Sequence, residues 1–391
     1  MNRLHQFSLP LLINDNASLQ LSVNALLQEK FITLDTEFVR ERTYWPQLCL
    51  LQIAGSNATY LIDTLADELD LTLLLPLLTS QNVMKVLHGA AQDLEIFMNL
   101  FGVLPAPVFD TQIASMVAGF GNQIGYDTLV ESLLKVKIDK SHRYSDWSIR
   151  PLTVEQQNYA SSDVTYLREV YQILLKQLQG TNRLSWVDSE MKILMDPFLY
   201  TPSIEKMWKR LCPRTHNRRV LGCLYAVLEW RENVAQQYNK PRQHILRDES
   251  VITIAASLPD QEKALSRIRG VSSNLIESKE GQSLLKIIKE TKVKPLRDLP
   301  LPSLEKSSVE KPPEALTALL KVLLQAKCEE FKVAPKLVAS TKDIEKLALG
   351  SRDLVMLEGW RRDVFGKDAL DLCEGHLILG VKGQKVELIR C

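Results

Sequence analysis

Two carboxylates, Asp35 and Glu37, sit in the apolar run Phe31-Ile32-Thr33-Leu34-Asp35-Thr36-Glu37-Phe38. An extended strand puts residues i and i+2 on one face, so both carboxylates point the same way while Ile32 and Leu34 turn toward a core. Adjacent anions repel and are costly to desolvate unless a cation sits between them. That pattern points to a hard divalent metal, and from there to phosphate chemistry. Asp93 falls in His88-Gly89-Ala90-Ala91-Gln92-Asp93-Leu94-Glu95-Ile96-Phe97, in the first turn of a helix that follows a strand. Tyr159 and Asp163, in Tyr159-Ala160-Ser161-Ser162-Asp163, are four apart and project from one helical face.

The elements that must position these groups follow from patterning. Residues 31–38, Gln47–Ala54 and Thr59–Asp63 read as strands, with Gly55-Ser56-Asn57 as a turn. Residues 83–87 form a fourth strand ahead of the Asp93 helix. Val108-Phe109 forms a fifth, ahead of Asp110 and a helix in which Gln112 is given no role. Three hairpin-connected strands, then alternating strands and helices, predict a mixed sheet covered by helices. Thr153 and Gln156 form a capping box that starts a helix running to about Leu178, before Gly180. Beyond about residue 200 the signals are helical, as at 220–237 and 316–330. Pro295, Pro300, Pro302, Pro312 and Pro313 with Ser307-Ser308 mark a linker. Segments on its two sides repeat weakly: Lys240-Pro241 then Ile252, and Ala334-Pro335 then Ile344.

At these strings the chain resembles the DEDD 3′→5′ exonucleases, in the branch whose last motif carries tyrosine. Asp35-Thr36-Glu37 matches the first motif, the Asp93 string the second, and Tyr159-x-x-x-Asp163 the third. It is more closely similar to the ribonuclease D family, through Asp35-Thr36-Glu37-Phe38-Val39-Arg40, Thr43-Tyr44-Trp45-Pro46-Gln47-Leu48, and Ser145-Asp146-Trp147 ahead of Arg150-Pro151-Leu152. The two helical repeats resemble HRDC domains (helicase and RNase D C-terminal). The resemblance implies an α/β, ribonuclease H-like mixed-sheet exonuclease domain over residues 1–200. Two small all-α HRDC-like domains are then expected, over 201–294 and, more divergent, over 305–391.

It also implies that Asp35, Glu37, Asp93 and Asp163 are catalytic residues that bind two divalent cations, Mg2+ or Mn2+, with Tyr159 orienting the attacking water. Two such ions about 4 Å apart would flank a phosphodiester. The implied substrates are RNAs, namely tRNA precursors and other small structured RNAs, cut from the 3′ end to nucleoside 5′-monophosphates. A DNA 3′→5′ exonuclease and a catalytically inactive nucleic-acid-binding scaffold are the alternative functions. Three residues have open roles. His88 is a substrate contact or a structural histidine, Arg40 touches phosphate or is a solvated surface residue, and Tyr44 stacks on a base or packs in the core.

Composition narrows the setting. Apolar residues make up 45% and charged residues 24%, as in a soluble globular protein. No apolar run reaches membrane-spanning length, residues 1–10 lack a signal-peptide pattern, and no cysteine pair has zinc spacing. A cytoplasmic monomer without membrane contact is expected. The net charge of +1 excludes a strongly basic protein, not a local basic face. One candidate face is the stretch 211–247, with Arg214, Arg218, Arg219, Arg231, Lys240, Arg242 and Arg247 against Glu229 and Glu232. Removing everything beyond about 200 is expected to weaken RNA binding and leave the metal centre functional.

Overall fold

A computed structural model describes residues 9–212, 215, 217–299 and 311–391. Within the expected linker, Pro300, Pro302, Ser307 and Ser308 lie outside the described residues, as does Arg214 of the basic stretch. The chain divides into two compact units. One joins Met1–Glu37, Leu48–Leu199 and Ser308–Cys391, and the other joins Phe38–Gln47 to Tyr200–Ser307.

The first unit is built on β1 (Leu11–Ile13), α1 (Asn16–Leu26), β2 (Phe31–Val39), β3 (Gln47–Ala54), β4 (Thr59–Asp63), α2 (Leu75–Thr79), β5 (Met84–Leu87), α3 (Ala91–Phe101) and β6 (Val108–Asp110). The helices α4 (Thr111–Ala118), α5 (Tyr126–Leu134), α6 (Val154–Gly180) and α7 (Leu184–Leu194) follow. The six strands form one sheet in the order β1-β4-β3-β2-β5-β6. It is mixed: β3 and β4 are antiparallel, whereas β1 pairs parallel to β4, and β2, β5 and β6 pair in parallel. The five expected strands are all present. β1 is an additional edge strand, too short and too exposed to show an alternating pattern.

β2 is central, so it is covered on both faces and its polar residues are committed. Ile32 and Leu34 are fully buried. On the other face, the Thr33 hydroxyl donates to the Val164 carbonyl at 2.7 Å, which fixes the height of α6 against β2 one residue from Asp163. α6 presents Val164, Leu167, Val170, Leu174 and Leu178 to the core at spacings of three and four. Each such side chain contributes about 1.5–3 kcal/mol on burial. The capping box forms as expected: Thr153 N–H donates to Gln156 Oε1 at 3.0 Å, and Gln156 N–H to Thr153 Oγ1 at 3.2 Å.

The C-terminal segment belongs to this same unit. Its helix Glu314–Phe331 and the residues after it build a core around Leu320, Leu323, Val364 and Phe365, against which Trp186 of α7 packs. Trp186 and Trp360 stack at 4.5 Å, Arg361 pairs with buried Glu190, and Ala334 N–H donates to the Met116 carbonyl at 2.9 Å. Arg183 of the α6–α7 junction donates to the Phe331 carbonyl at 2.5 Å. Gly119, at φ +92°, comes so close to this segment that a Cβ there would lie 2.7 Å from the Lys332 carbonyl oxygen. The expectation that the metal centre survives loss of everything beyond 200 has to be weighed against these contacts. The segment 311–391 packs against α7 and α4 of the exonuclease unit. The expectation that it is all-α is corrected at its end, where β7 (Leu377–Lys382) and β8 (Lys385–Arg390) form an antiparallel hairpin.

In the second unit, the helices Ile204–Leu211, Arg218–Gln237, Asp248–Ser257 and Lys279–Val293 enclose Trp208, Leu224, Val227, Leu228, Ile254 and Ile288. Several arginines of the basic stretch hold this fold together. Arg231, 1% exposed, donates to the Leu246 carbonyl at 2.9 Å and to Asp248 at 2.7 Å. Arg219 donates to the carbonyls of Thr291 and Lys294, and Arg242 pairs with Glu232. Of the expected basic face, these three are therefore engaged in contacts within the unit, with the Arg242 side chain still 39% exposed. No helix among the described residues is long and apolar enough to cross a membrane.

Candidate active site

The acidic residues from three elements meet at the C-terminal half of β2. Asp35 and Glu37 come from alternate positions of β2, and Asp163 from α6, held level by the Thr33–Val164 bond. One oxygen from each of these three carboxylates lies within 4.8 Å of the others. Asp93 stands beside them, buried, accepting a hydrogen bond from the Thr36 hydroxyl, but is not part of that tight triplet. Its position is set by Asp110 at the β6–α4 junction. The Asp110 carboxylate caps α4 by accepting from Gln112 N–H at 2.7 Å. It also accepts from Gly89 N–H at 3.0 Å and Ala90 N–H at 2.8 Å. Gly89, at φ +71°, makes the turn that lets α3 begin there.

The electrostatics are those of anions held together without enough counter-charge. Burial, then the charges of Asp163, Asp93 and Glu37, holds Asp35 well above the ordinary carboxylate range. Burial, then Asp163 and Asp93, pushes Glu37 up to about 9. Burial pushes Asp93 up to about 7 against the opposing Thr36 hydrogen bond, and Asp163 up to about 7 against Tyr159 and Arg143. Tyr159, one helical turn before Asp163, hydrogen-bonds its carboxylate. Burial and the charges of Asp163, Glu37 and Asp35 hold its phenol far above the usual value. The site therefore passes the test for a hard divalent cation. Its donors are all carboxylate oxygens, convergent and desolvated, and their mutual repulsion is what a bound cation would relieve.

This has a measurable consequence. In the metal-free protein the folded state keeps protons on these groups that the unfolded chain gives up at its ordinary carboxylate pKa near 4. Between about pH 4 and about 9 the native state thus binds more protons than the unfolded one, and stability falls as pH rises. Bound cation displaces those protons, so the rise in Tm produced by Mg2+ should be larger at about pH 8.5 than at about pH 6. A Tm gain that is absent, or that shrinks with pH, contradicts the assignment.

The residues with open roles fall in different places. His88 lines the cleft, but both ring nitrogens are engaged. Nε2 donates to the Ile124 carbonyl at 3.0 Å and Nδ1 lies 3.0 Å from Thr111 Oγ1. It holds the turn before α5, and its pKa is lowered chiefly by burial. Arg40 is exposed just past β2, on the segment grouped with the helical unit. Tyr44 is placed within that unit too. Its hydroxyl meets Glu232, Gln236 and Arg242, and Arg242 lies over its ring at 4.7 Å. Neither Arg40 nor Tyr44 lines the cavity at the carboxylates.

That cavity, of about 370 Å³, is lined by Asp35, His88, Tyr159 and Asp163 and also by residues to which the sequence gave no role. Arg143 and Lys140 face it from the segment before α6, and Tyr126 and Gln112 from the α4–α5 side. Arg143 lowers the Asp163 pKa from one side. Tyr126, its hydroxyl donating to the Ser162 carbonyl at 2.9 Å, is held far from ionisation by burial and by Asp163 and Asp35. The one available sequence signal was the basic-aromatic pair Arg143-Tyr144 just ahead of Ser145-Asp146-Trp147. Tyr126 follows a helix-start glycine and carries no distinguishing pattern.

Comparison with known proteins shows the family. A 3′-5′ exonuclease family model matches residues 11–179, and an HRDC domain model matches residues 220–288. Ribonuclease D of Gluconacetobacter diazotrophicus is 52% identical over 381 residues, covering 97% of each chain. The chain belongs to the ribonuclease D family. Ribonuclease D of Granulibacter bethesdensis is 49% identical over 385 residues, covering 98% of each chain. The crystal structure of Escherichia coli ribonuclease D matches with a TM-score of 0.80 at 29% identity, covering 94% of this chain and 99% of that one. Membership makes the chain a 3′→5′ exoribonuclease with an α/β exonuclease domain and a helical HRDC domain, and it implies use of a divalent metal at the acidic cluster.

Proposed function

We propose that this ribonuclease trims the 3′ ends of tRNA precursors and other small structured RNAs, releasing nucleoside 5′-monophosphates by hydrolysis. The observation that carries this is the convergence of Asp35, Glu37 and Asp163, with Asp93 adjoining and Tyr159 bonded to Asp163. Support for the substrate comes from the Escherichia coli relative, described as an exoribonuclease involved in structured RNA processing.

In this reading Asp35, Glu37, Asp93 and Asp163 hold two divalent cations, Mg2+ or Mn2+. When bound, these supply an activated water and offset the charge that builds on the phosphate. The chain's own groups do the rest. The Tyr159 phenol stays protonated, so it orients the water through its O–H and lone pairs and is not the base that deprotonates it. Arg143 and Lys140, exposed at the cleft, attract and seat phosphate as it approaches the carboxylates. His88 keeps the α5 turn in place behind them.

All four carboxylates come from one chain, so one copy suffices and we take the working form as a monomer. All six cysteines are free, which fits the reducing cytoplasm where such RNAs are processed. We also read residues 305–391 as a second, divergent HRDC-like domain after those of 1–200 and 201–294. Its helices Glu314–Phe331, Pro335–Val338 and Thr341–Ala348 repeat the long, short, medium order of Arg218–Gln237, Arg242–Ile245 and Asp248–Ser257.

The test is product analysis on a 3′-extended tRNA and on a matched DNA 3′ end, with Mg2+. Stepwise loss of the RNA extension as nucleoside 5′-monophosphates is expected. Faster degradation of the DNA, or release of oligonucleotides, would reject the proposal.

A further inference from the structure

A second cavity, of about 740 Å³, opens beside the catalytic one, within the range of ligand-binding clefts at roughly 300–1,000 Å³. The two share Gly89 and Gln112, which border both the space at the carboxylates and this one. One side is the exonuclease sheet's α4, with Met116, and the other is the C-terminal segment, with Leu337. Two cations reach it, both from the C-terminal segment. Lys321, on the helix Glu314–Phe331, is exposed and makes no ion pair among the described residues. Lys336 is held in place: its backbone N–H donates to Asn122 Oδ1 and its Nζ to Gln123 Oε1, both at 3.3 Å. The one carboxylate lining the cavity, Asp110, already receives four backbone N–H groups, from Gly89, Ala90, Gln112 and Ile113. Its charge is screened from a polyanion in the groove.

We propose that the single-stranded RNA upstream of the linkage being cut passes from the catalytic cleft over Gly89 and Gln112 into this groove, where Lys321 and Lys336 of the C-terminal segment hold its phosphates. The proposal deepens the exoribonuclease reading and rests on it. Lysines at the rim bind phosphate irrespective of sequence, and apolar side chains such as Met116 and Leu337 accept base faces. An enzyme that must process many different 3′ tails requires sequence-tolerant binding of this kind. The C-terminal segment would then be part of the substrate path and not only a cover for α7.

The test compares substrate length. The full chain and its Lys321→Ala/Lys336→Ala variant are assayed with Mg2+ on a diribonucleotide and on a single-stranded decaribonucleotide. On this proposal a diribonucleotide, with a single nucleotide upstream of the cut, does not reach the two lysines. The expected result is a KM about tenfold higher for the decamer, with kcat and diribonucleotide hydrolysis unchanged. The salt dependence of the decamer KM should also weaken by a log-log slope of about 1.4, at ~0.7 for each phosphate that is no longer neutralised. The glutamine double variant, which removes the charge and keeps most of the side chain and a hydrogen-bond donor, should show the same loss and the same Tm as the parent. A variant with the parental decamer KM, or one that loses both substrates equally, overturns the groove assignment. A parent protein inert on both lengths instead overturns the exoribonuclease reading on which it rests.

Discussion

Asp35→Asn should lower RNA hydrolysis by roughly 10³-fold or more, a loss of about 4 kcal/mol of transition-state stabilisation. The same substitution should leave the metal-free protein at least as stable as the parent. Asp35 sits where burial and three neighbouring carboxylates oppose its ionisation, and an amide of the same shape carries no charge to desolvate. Most substitutions at buried positions destabilise, so the combination of lost turnover and undiminished Tm distinguishes a functional carboxylate from a structural one. The Tm gain on adding Mg2+ should also largely vanish in the variant. Turnover assays and melts with and without Mg2+ check all three. A variant that hydrolyses RNA within tenfold of the parent, or that unfolds in the absence of metal, contradicts the account.

Removing residues 311–391 should cost the exonuclease unit most of its stability. The cut uncovers Trp186, now stacked on Trp360, and strands the buried Glu190 carboxylate without Arg361. Breaking a buried ion pair from one side costs about 3–5 kcal/mol, and exposing a packed tryptophan costs about as much again. The sum is comparable to the ~5–15 kcal/mol that holds a typical domain folded. Urea unfolding of the shortened chain should show a strongly lowered midpoint, or no folded baseline. In the full chain, Arg361→Ala should show the effect of the one-sided pair alone. An unchanged midpoint in the shortened chain would mean that the segment docks without supporting α7.

These two outcomes divide along what the sequence made legible. The strand carrying Asp35 and Glu37, the Asp93 helix and the capped helix carrying Tyr159 and Asp163 were readable because each is a local pattern. They correspond to alternation, a strand-to-helix junction and an i,i+4 pair. The convergence of their carboxylates followed from the family resemblance, not from the patterns themselves. What was not legible depends on contacts between distant parts of the chain. The role of Asp110 in seating the Gly89-Ala90 turn involves residues about 20 apart and looks, in sequence, like an ordinary N-cap. Tyr44 reads as a base-stacking or core residue near the first motif, yet its hydroxyl is taken up by Glu232 and Arg242, some 190 residues later. Likewise Arg231 counts as a surface charge by composition but is buried on Asp248. The docking of the C-terminal segment on α7 rests on the pairs Trp186–Trp360 and Glu190–Arg361, which no periodicity announces.

The central claim is that Asp35, Glu37, Asp93 and Asp163 together cage two divalent cations where the RNA end is cut. Anomalous scattering from crystals grown with Mn2+ and a nucleoside 5′-monophosphate tests it most directly. The account predicts two peaks about 4 Å apart, each ligated by oxygens from this carboxylate set. Peaks elsewhere in the molecule, or a single ion bound without Asp163 or Asp93, would contradict it.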